Sequence, residues 1–393
     1  MTRPPLVMIA PAPAQRLPDG RLRLDTKFVE GMRLHRALWD GPLRVILWQG
    51  GAVPFGQELA PDELGFDLDL LEPGQEIGAG HLHGAGVVAA SADLHQTLHL
   101  APLARAAGAR LVYVVEYTLA TRLDILRLDP GLGRLRKLRS ALWHLRQEQR
   151  RRRAFRAADG LQVNGYPAEA DYAGLTRDCL LYLDGRMRDG MMATPEDMAA
   201  RQQQLASGAP LRIVHSGRLE PLKGAQDLIP VAQALRAAGV AFTLDIFGAG
   251  SLADGIGRAA AAAGLGDAVR LHAPLPFEEG LVPWLRARAD LFLSCHRQAD
   301  PSCSYLESMG CGLPVVGYDN AMWRRLAAVS GAGWVEPMGR PAALATRIAA
   351  LAQDRGALIA AGEKALAFAR AHDFETEFAR RMDHLARIAG AGG

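Results

Sequence analysis

The sequence predicts an α/β protein built from two doubly wound domains. Three observations carry that expectation. The chain has 393 residues, too many for one ordinary domain and comfortable for two. Short apolar runs alternate with longer helical patterns almost from end to end, as in repeated βα units. The runs are bounded by Gly, Pro or Asp and read as parallel strands covered on both faces.

In the first half the candidate strands are 6–10, 43–48, 86–90 and 111–115, with helical stretches at 28–39 and 94–107. Residues 15–27 read as a polar loop. The second half alternates more cleanly. Strands are expected at 211–215, 242–247, 269–272, 291–295 and 313–316, and helices at 225–238, 251–263, 278–289 and near 305–309. The polar stretch 186–210 separates the two series and holds a short helix capped at Thr194. The expected organisation is a domain at 1–190, a linker at 191–210, a domain at 211–370 and a helix at 371–393 that returns to the first domain. Two such domains would face each other across a cleft, each offering the carboxyl ends of its strands.

Composition narrows the function. With 49% hydrophobic and 22% charged residues the chain is not disordered, and a net charge of +3 is too small to argue for nucleic acid. No apolar run approaches the roughly 20 residues that span a bilayer, and residues 6–10 are too short for a signal-peptide core. A soluble, cytoplasmic protein is expected. Cys179 stands alone, and Cys295, Cys303 and Cys311 recur every eight residues without a CxxC pair. That pattern reads as reduced thiols rather than a zinc site.

One segment departs from this balance. Residues 134–156 hold ten Lys or Arg and a single acid, Glu148, for a net charge of +9. Leu135, Leu138, Leu142 and Leu145 repeat at three and four, so the segment is a helix with one apolar stripe. Two readings stay open: a core-packed helix with a solvated basic face, or a patch that rests on anionic lipid headgroups at the inner membrane face. RNA is a weaker third, because no recognised RNA-binding module accompanies the charge.

The chemistry concentrates in 211–316. After the strand at 211–215 comes His215-Ser216-Gly217-Arg218-Leu219-Glu220-Pro221-Leu222-Lys223-Gly224. Arg218 and Lys223 put two cations at a strand's carboxyl end and before a helix, a clamp for a diphosphate or simply two exposed basic residues. The next strand ends in Phe247-Gly248-Ala249-Gly250, where glycines would let a ligand approach the backbone. Then Asp300-Pro301-Ser302-Cys303-Ser304-Tyr305-Leu306-Glu307 opens a short helix that runs through Ser308-Met309-Gly310-Cys311-Gly312 into a strand. Amides near Cys303 and Ser304 would suit an anion or a sugar. Glu307 has two readings from spacing alone, a ligand-facing carboxylate or the closing residue of a capping box begun at Ser304.

Together these three elements resemble the carboxyl half of GT-B glycosyltransferases, specifically the retaining glycosyltransferase family 4. The resemblance rests on the GRLxxxKG loop, the strand ending in FGxG and the E-S-M-G-C-G-L-P-V-V run, in the family's order over about 211–320, with a weaker likeness along the rest. It implies two Rossmann-like domains, the first on the acceptor side, and a hexosyltransferase-type enzyme using a nucleotide-sugar donor and a lipid-linked or envelope-glycan acceptor. By position it implies that Arg218 and Lys223 bind the diphosphate. Glu307 would hold the ribose hydroxyls and Cys303 and Ser304 the pyrophosphate or sugar, with the base near Pro274 and Leu275. The family's first glutamate falls on Ala299, so Asp300 or Ser302 takes over its role or sugar recognition differs. In the first domain the position that often carries a histidine is Glu116, expected to orient sugar or acceptor. No cofactor and no metal are expected, because the cations replace one and no DxD-like pair stands in the donor loops.

The competing readings are a sugar-nucleotide epimerase or a phosphorylase on the same fold, or a non-catalytic sugar-binding protein. An NAD(P) oxidoreductase would want GxGxxG in the first βα turn, which Ala10-Pro11-Ala12-Pro13 contradicts.

Overall fold

The computed structural model describes residues 3–53, 56–129, 131–299 and 301–390. By packing, the chain divides into two compact units. The first comprises Met1–Leu119, Leu142–Tyr182 and Glu377–Gly393; the second comprises Ala120–Ala141 and Leu183–Thr376.

The chain begins with β1 (Leu6–Ile9), β2 (Ala14–Arg16), β3 (Leu22–Asp25), α1 (Thr26–Leu38), β4 (Leu43–Trp48), β5 (Gly56–Leu59) and β6 (Asp67–Leu71). It continues with β7 (Val87–Ser91), α2 (Leu100–Ala106), β8 (Arg110–Val115), α3 (Leu119–Leu128) and α4 (Arg134–Ala157). β9 (Gly160–Asn164), α5 (Gly165–Tyr172) and β10 (Cys179–Tyr182) follow. Seven of these strands form one parallel sheet in the order β10-β9-β8-β7-β1-β4-β6. The sheet separates two apolar layers. On β1, Val7 and Ile9 join one layer and Leu6 and Met8 the other; on β8, Leu111 and Tyr113 oppose Val112.

The stretch 15–27 is not a loop. β2, β3 and β5 form a small antiparallel sheet, because Leu22 and Leu24 are buried at alternate positions while Arg23 and Asp25 face outward. Asp25 then caps α1, accepting from the Phe28 amide at 3.1 Å. The helix expected at 94–107 shrinks to α2. Upstream, the buried Thr97 hydroxyl donates to the Ser91 carbonyl at 2.6 Å and holds a tighter turn.

In the second unit come α6 (Pro195–Ala206), β11 (Leu211–Ser216), α7 (Leu228–Ala237), β12 (Phe242–Phe247), α8 (Ala253–Ala262), β13 (Val269–His272) and α9 (Val282–Arg288). β14 (Leu291–Ser294), α10 (Cys303–Gly310), β15 (Val315–Tyr318), α11 (Ala321–Ser330), β16 (Gly333–Glu336), α12 (Pro341–Gln353) and α13 (Arg355–Ala371) complete it. Its six strands are parallel, in the order β13-β12-β11-β14-β15-β16. One face is apolar throughout, with Leu211, Ile213, Leu244, Ile246, Leu291 and Leu293 in a single core. The other face is not. Arg212, Thr243, Asp245, Arg270 and His272 occupy the alternate positions of β11, β12 and β13, so these strands are not the two-sided apolar runs expected.

The helix α6 is built as expected, with Thr194 and Asp197 exchanging cap bonds at 3.2 and 2.8 Å. It belongs to the packed second unit, since the buried Arg201 guanidinium donates to the carbonyls of Ala289, Gly312 and Arg286 at 2.8 to 3.0 Å. The last helix, α14 (Phe374–Gly390), adds Met382, Leu385 and Ile388 to a core of the first unit.

The basic segment is one helix, α4, but its leucine stripe is not in a core. Leu135, Leu138, Leu142 and Leu145 are 71, 58, 51 and 46% exposed, beside the exposed Trp143. The carboxyl-terminal turns differ. There Glu148 and Arg151 are buried as an ion pair of 2.8 Å, Glu148 also holds Arg152 at 2.9 Å, and Arg151 donates to the Ala92 carbonyl. Among the described residues no helix is long and apolar enough to cross a membrane.

Candidate functional site

The site begins where β11 ends. Gly224 has φ +68°, and a Cβ there would lie 1.8 Å from the Cys295 carbonyl oxygen. Only glycine allows the β11 loop to press this closely on the loop after β14. The same two loops are tied by the Arg297 amide donating to the Leu222 carbonyl at 3.1 Å, and Arg297 grips Asp227 with both ends of its guanidinium. Lys223 is thereby buried, and its Nζ lies 3.4 Å from Ser302 Oγ. Ser302 Oγ in turn lies 2.9 Å from Ser304 Oγ. Arg218, on the same loop, is exposed.

Gly217 opens that loop. At Gly248 and Gly250, Cβ atoms would lie 2.0 and 2.5 Å from the Gly217 and Leu219 carbonyl oxygens. These two glycines let the β12 loop lie against the β11 loop.

The helix α10 starts at Cys303, with Ser302 in the cap position. Glu307 therefore sits beyond the first turn and closes no capping box with Ser304. Its carboxylate, 6% exposed, receives Nε and Nη2 of Arg186 at 2.7 Å each. The Arg186 guanidinium lies 4.0 Å from the centre of the Phe277 ring. Arg186 is a site residue that sequence reasoning missed. Nothing near it in sequence marks it, because its partner is 121 positions away.

Around Lys223 the site is cationic. His215 and His296 are buried beside Lys223, and among the described residues neither ring nitrogen of His296 has a hydrogen-bond partner. Burial, reinforced by the Lys223 charge, pushes His215 down to about 4 and His296 well below its ordinary value. Both are neutral at pH 7, so Lys223 and Arg218 supply the positive charge. The first-turn amides of α10 add a fixed partial charge of the same sign.

Of the other expected residues, Pro274 and Leu275 are exposed on the loop between β13 and the π-helical turn Phe277–Leu281. Cys303 Sγ lies 4.0 Å from Asp184 Oδ2. Asp300 lies outside the described residues. Glu116 belongs to the first unit, where it is exposed just past β8. Its amide and that of Tyr117 donate to the Asp93 carboxylate at 3.0 and 3.2 Å. Among the described residues no three His, Cys, Asp or Glu side chains gather as a metal cluster, and the four cysteines are free thiols.

Residues 197–368 match the family model described as Glycosyl transferases group 1. No curated protein matches the chain by sequence. Solved structures do match it. HepE from Anabaena, in complex with UDP, is 16% identical over 98% of each chain with a TM-score of 0.65. Sucrose-phosphate synthase from Thermosynechococcus elongatus is 15% identical over 98% of each chain, TM-score 0.66. WaaG, a glycosyltransferase involved in lipopolysaccharide biosynthesis, is 15% identical over 97% of this chain and 99% of its own, TM-score 0.59. The fold is that of the GT-B glycosyltransferases, with two α/β domains each built on a parallel sheet.

Proposed function

We propose that the protein is a retaining, hexosyltransferase-type enzyme of glycosyltransferase family 4 that moves a sugar from a nucleoside-diphosphate donor to a lipid-linked or envelope-glycan acceptor. One observation carries this reading: Lys223, Ser302 and Ser304 gather at the start of α10, and the same helix holds the Glu307 carboxylate. The match over residues 197–368 supports it.

In the reaction the bond between the anomeric carbon and the diphosphate oxygen breaks, and the oxygen keeps the electron pair. The acceptor oxygen bonds that carbon from the leaving-group face, and its proton passes to the departing diphosphate. Negative charge grows on the diphosphate in the transition state, where Arg218, Lys223 and the amides of Cys303 and Ser304 stabilise it in a poorly hydrated setting. Glu307 accepts from the ribose hydroxyls, the base rests near Pro274 and Leu275, and Glu116 orients sugar or acceptor. These roles require no metal.

The HepE structures with UDP and with UDP-glucose favour uridine as the first base to try. The exposed leucines and flanking arginines of α4 support peripheral docking on an anionic membrane, where a lipid-linked acceptor would lie. A thermal-shift series with UDP-, GDP-, ADP- and CDP-sugars tests the donor. Ligand at a hundred times its dissociation constant adds about 2.7 kcal/mol, enough to rank them. No stabilisation by any of the four overturns the reading, whereas binding without transfer or donor hydrolysis favours a sugar-binding protein.

A further inference from the structure

The polar face of the second unit's sheet forms a pocket, on other parts of the strands than the carboxyl-end loops that hold Lys223. A cavity of about 470 Å³ opens over Thr243 and the buried Asp245, with α6 and α9 contributing Gln204 and Trp284 to its walls. That volume suits a small metabolite. A face of a doubly wound sheet is ordinarily apolar and covered by helices. Here three arginines from separate elements converge instead: Arg212 from β11, Arg270 from the edge strand β13 and Arg288 from α9.

Gathering three guanidinium groups is unfavourable unless something neutralises them. Two buried carboxylates do so only in part. Asp290, fully buried, holds Arg212 through Nε and Nη2 at 3.1 and 2.7 Å, and the Ala287 carbonyl accepts from its Nη1, whereas Asp245 lies 3.9 Å from Arg270 while accepting from His272 Nε2 at 2.7 Å. Arg288 has no ion pair or hydrogen bond among the described residues, so the pocket keeps an excess of positive charge. Trp284 gives it a flat wall, itself braced edge-on by Phe247 at 4.6 Å, and Phe247 stacks on His272 at 4.4 Å. Rigid guanidinium forks match phosphate oxygens, and an indole face takes the apolar face of a sugar or base ring.

We infer that this pocket binds a phosphate monoester bearing a ring: the phosphate on Arg270 and Arg288, the ring against Trp284. The inference stands independently of the donor reading, because it uses none of the residues assigned to the donor.

Calorimetric titration of the full chain with inorganic phosphate, glucose 6-phosphate, AMP and uncharged glucose tests it. Glucose 6-phosphate or AMP should bind more tightly than inorganic phosphate, and glucose should not bind. Arg270→Gln and Arg288→Gln, both at exposed positions, should each weaken the phosphorylated ligands at least tenfold while leaving UDP binding unchanged. Trp284→Leu should bring the ring-bearing ligands down to the affinity of inorganic phosphate. The double variant Arg218→Ala, Lys223→Ala should keep glucose 6-phosphate binding. Absence of binding by every phosphorylated probe overturns the inference. So does binding that survives both arginine changes, or that disappears only in the Arg218, Lys223 variant.

Discussion

Replacing Glu307 with glutamine keeps the shape of α10 and removes one negative charge from it. Two effects compete. The carboxylate accepts a 2.7 Å hydrogen bond from Arg186 Nε, pairs with its Nη2 at 2.7 Å and is 6% exposed, so its charge matters locally. Arg186, however, is 40% exposed and keeps both water and the face of Phe277, so its lost partner is largely screened. The stability cost should therefore be small, about 1 kcal/mol. Donor binding should suffer more. Hydrogen bonds from a ribose diol to a charged acceptor are worth about 1.5–3 kcal/mol, or roughly 10- to 150-fold in affinity. The assay pairs the UDP dissociation constant, or the donor KM at saturating acceptor, with the melting temperature. Donor affinity within twofold of the parent, with the melting point lowered, would mean that Glu307 only anchors Arg186, and the reasoning would fail.

Lys223→Ala and Arg218→Ala should each lower kcat/KM by about 2–4 kcal/mol in transition-state terms with the fold intact, and ordinary turnover in either removes the diphosphate clamp. Gly224→Ala should cost more than 2 kcal/mol in urea unfolding, because it combines a positive φ with a clash against Cys295; an unchanged midpoint contradicts that packing. Acid should also destabilise the protein. His35 and His215 are buried with values lowered to about 3 and about 4, from 6.5, so the unfolded chain binds their protons first as pH falls below 6.5. Each should withdraw about 2 kcal/mol between pH 7 and pH 5, and His35→Met should remove its share of that slope. If α4 docks on membranes, co-sedimentation should favour anionic over neutral vesicles and fall when Arg134, Arg136, Arg139 and Arg146 become Gln. Equal pelleting with both vesicle types refutes docking. Arg151 is unsuitable for this test because it is a core residue.

Much of the framework was readable from local pattern. Residues 43–48 and 242–247 are strands to the residue, because runs rich in β-branched, aromatic and other apolar residues end there at Gly, Pro or polar residues. β16 escaped because Gly333–Glu336 is short and only half-buried. The small sheet of β2 and β3 hid because Leu22 and Leu24 alternate with charged residues in a polar stretch. At the candidate site, Lys223, Ser302 and Glu307 were legible because a contiguous loop or helix start presents each. Arg186 was not, since its importance exists only once the fold brings it to Glu307. The leucines of α4 show the converse limit. A stripe of period three and four specifies a helix face, and it does not say whether the protein or something else covers that face.

The passage of α14 back to the first unit bears on how the polypeptide is made. Met382, Leu385 and Ile388 line one of that unit's cores, and the Gln162 side chain donates to the Arg381 carbonyl across 219 positions. A ribosome must therefore synthesise the whole of Leu183–Thr376 before the wall of the earlier unit arrives. Until then β1, β4, β7 and β8 hold one apolar flank partly uncovered, while the later unit already has all its strands. Nascent chains should consequently acquire a protease-resistant second unit before the first resists digestion.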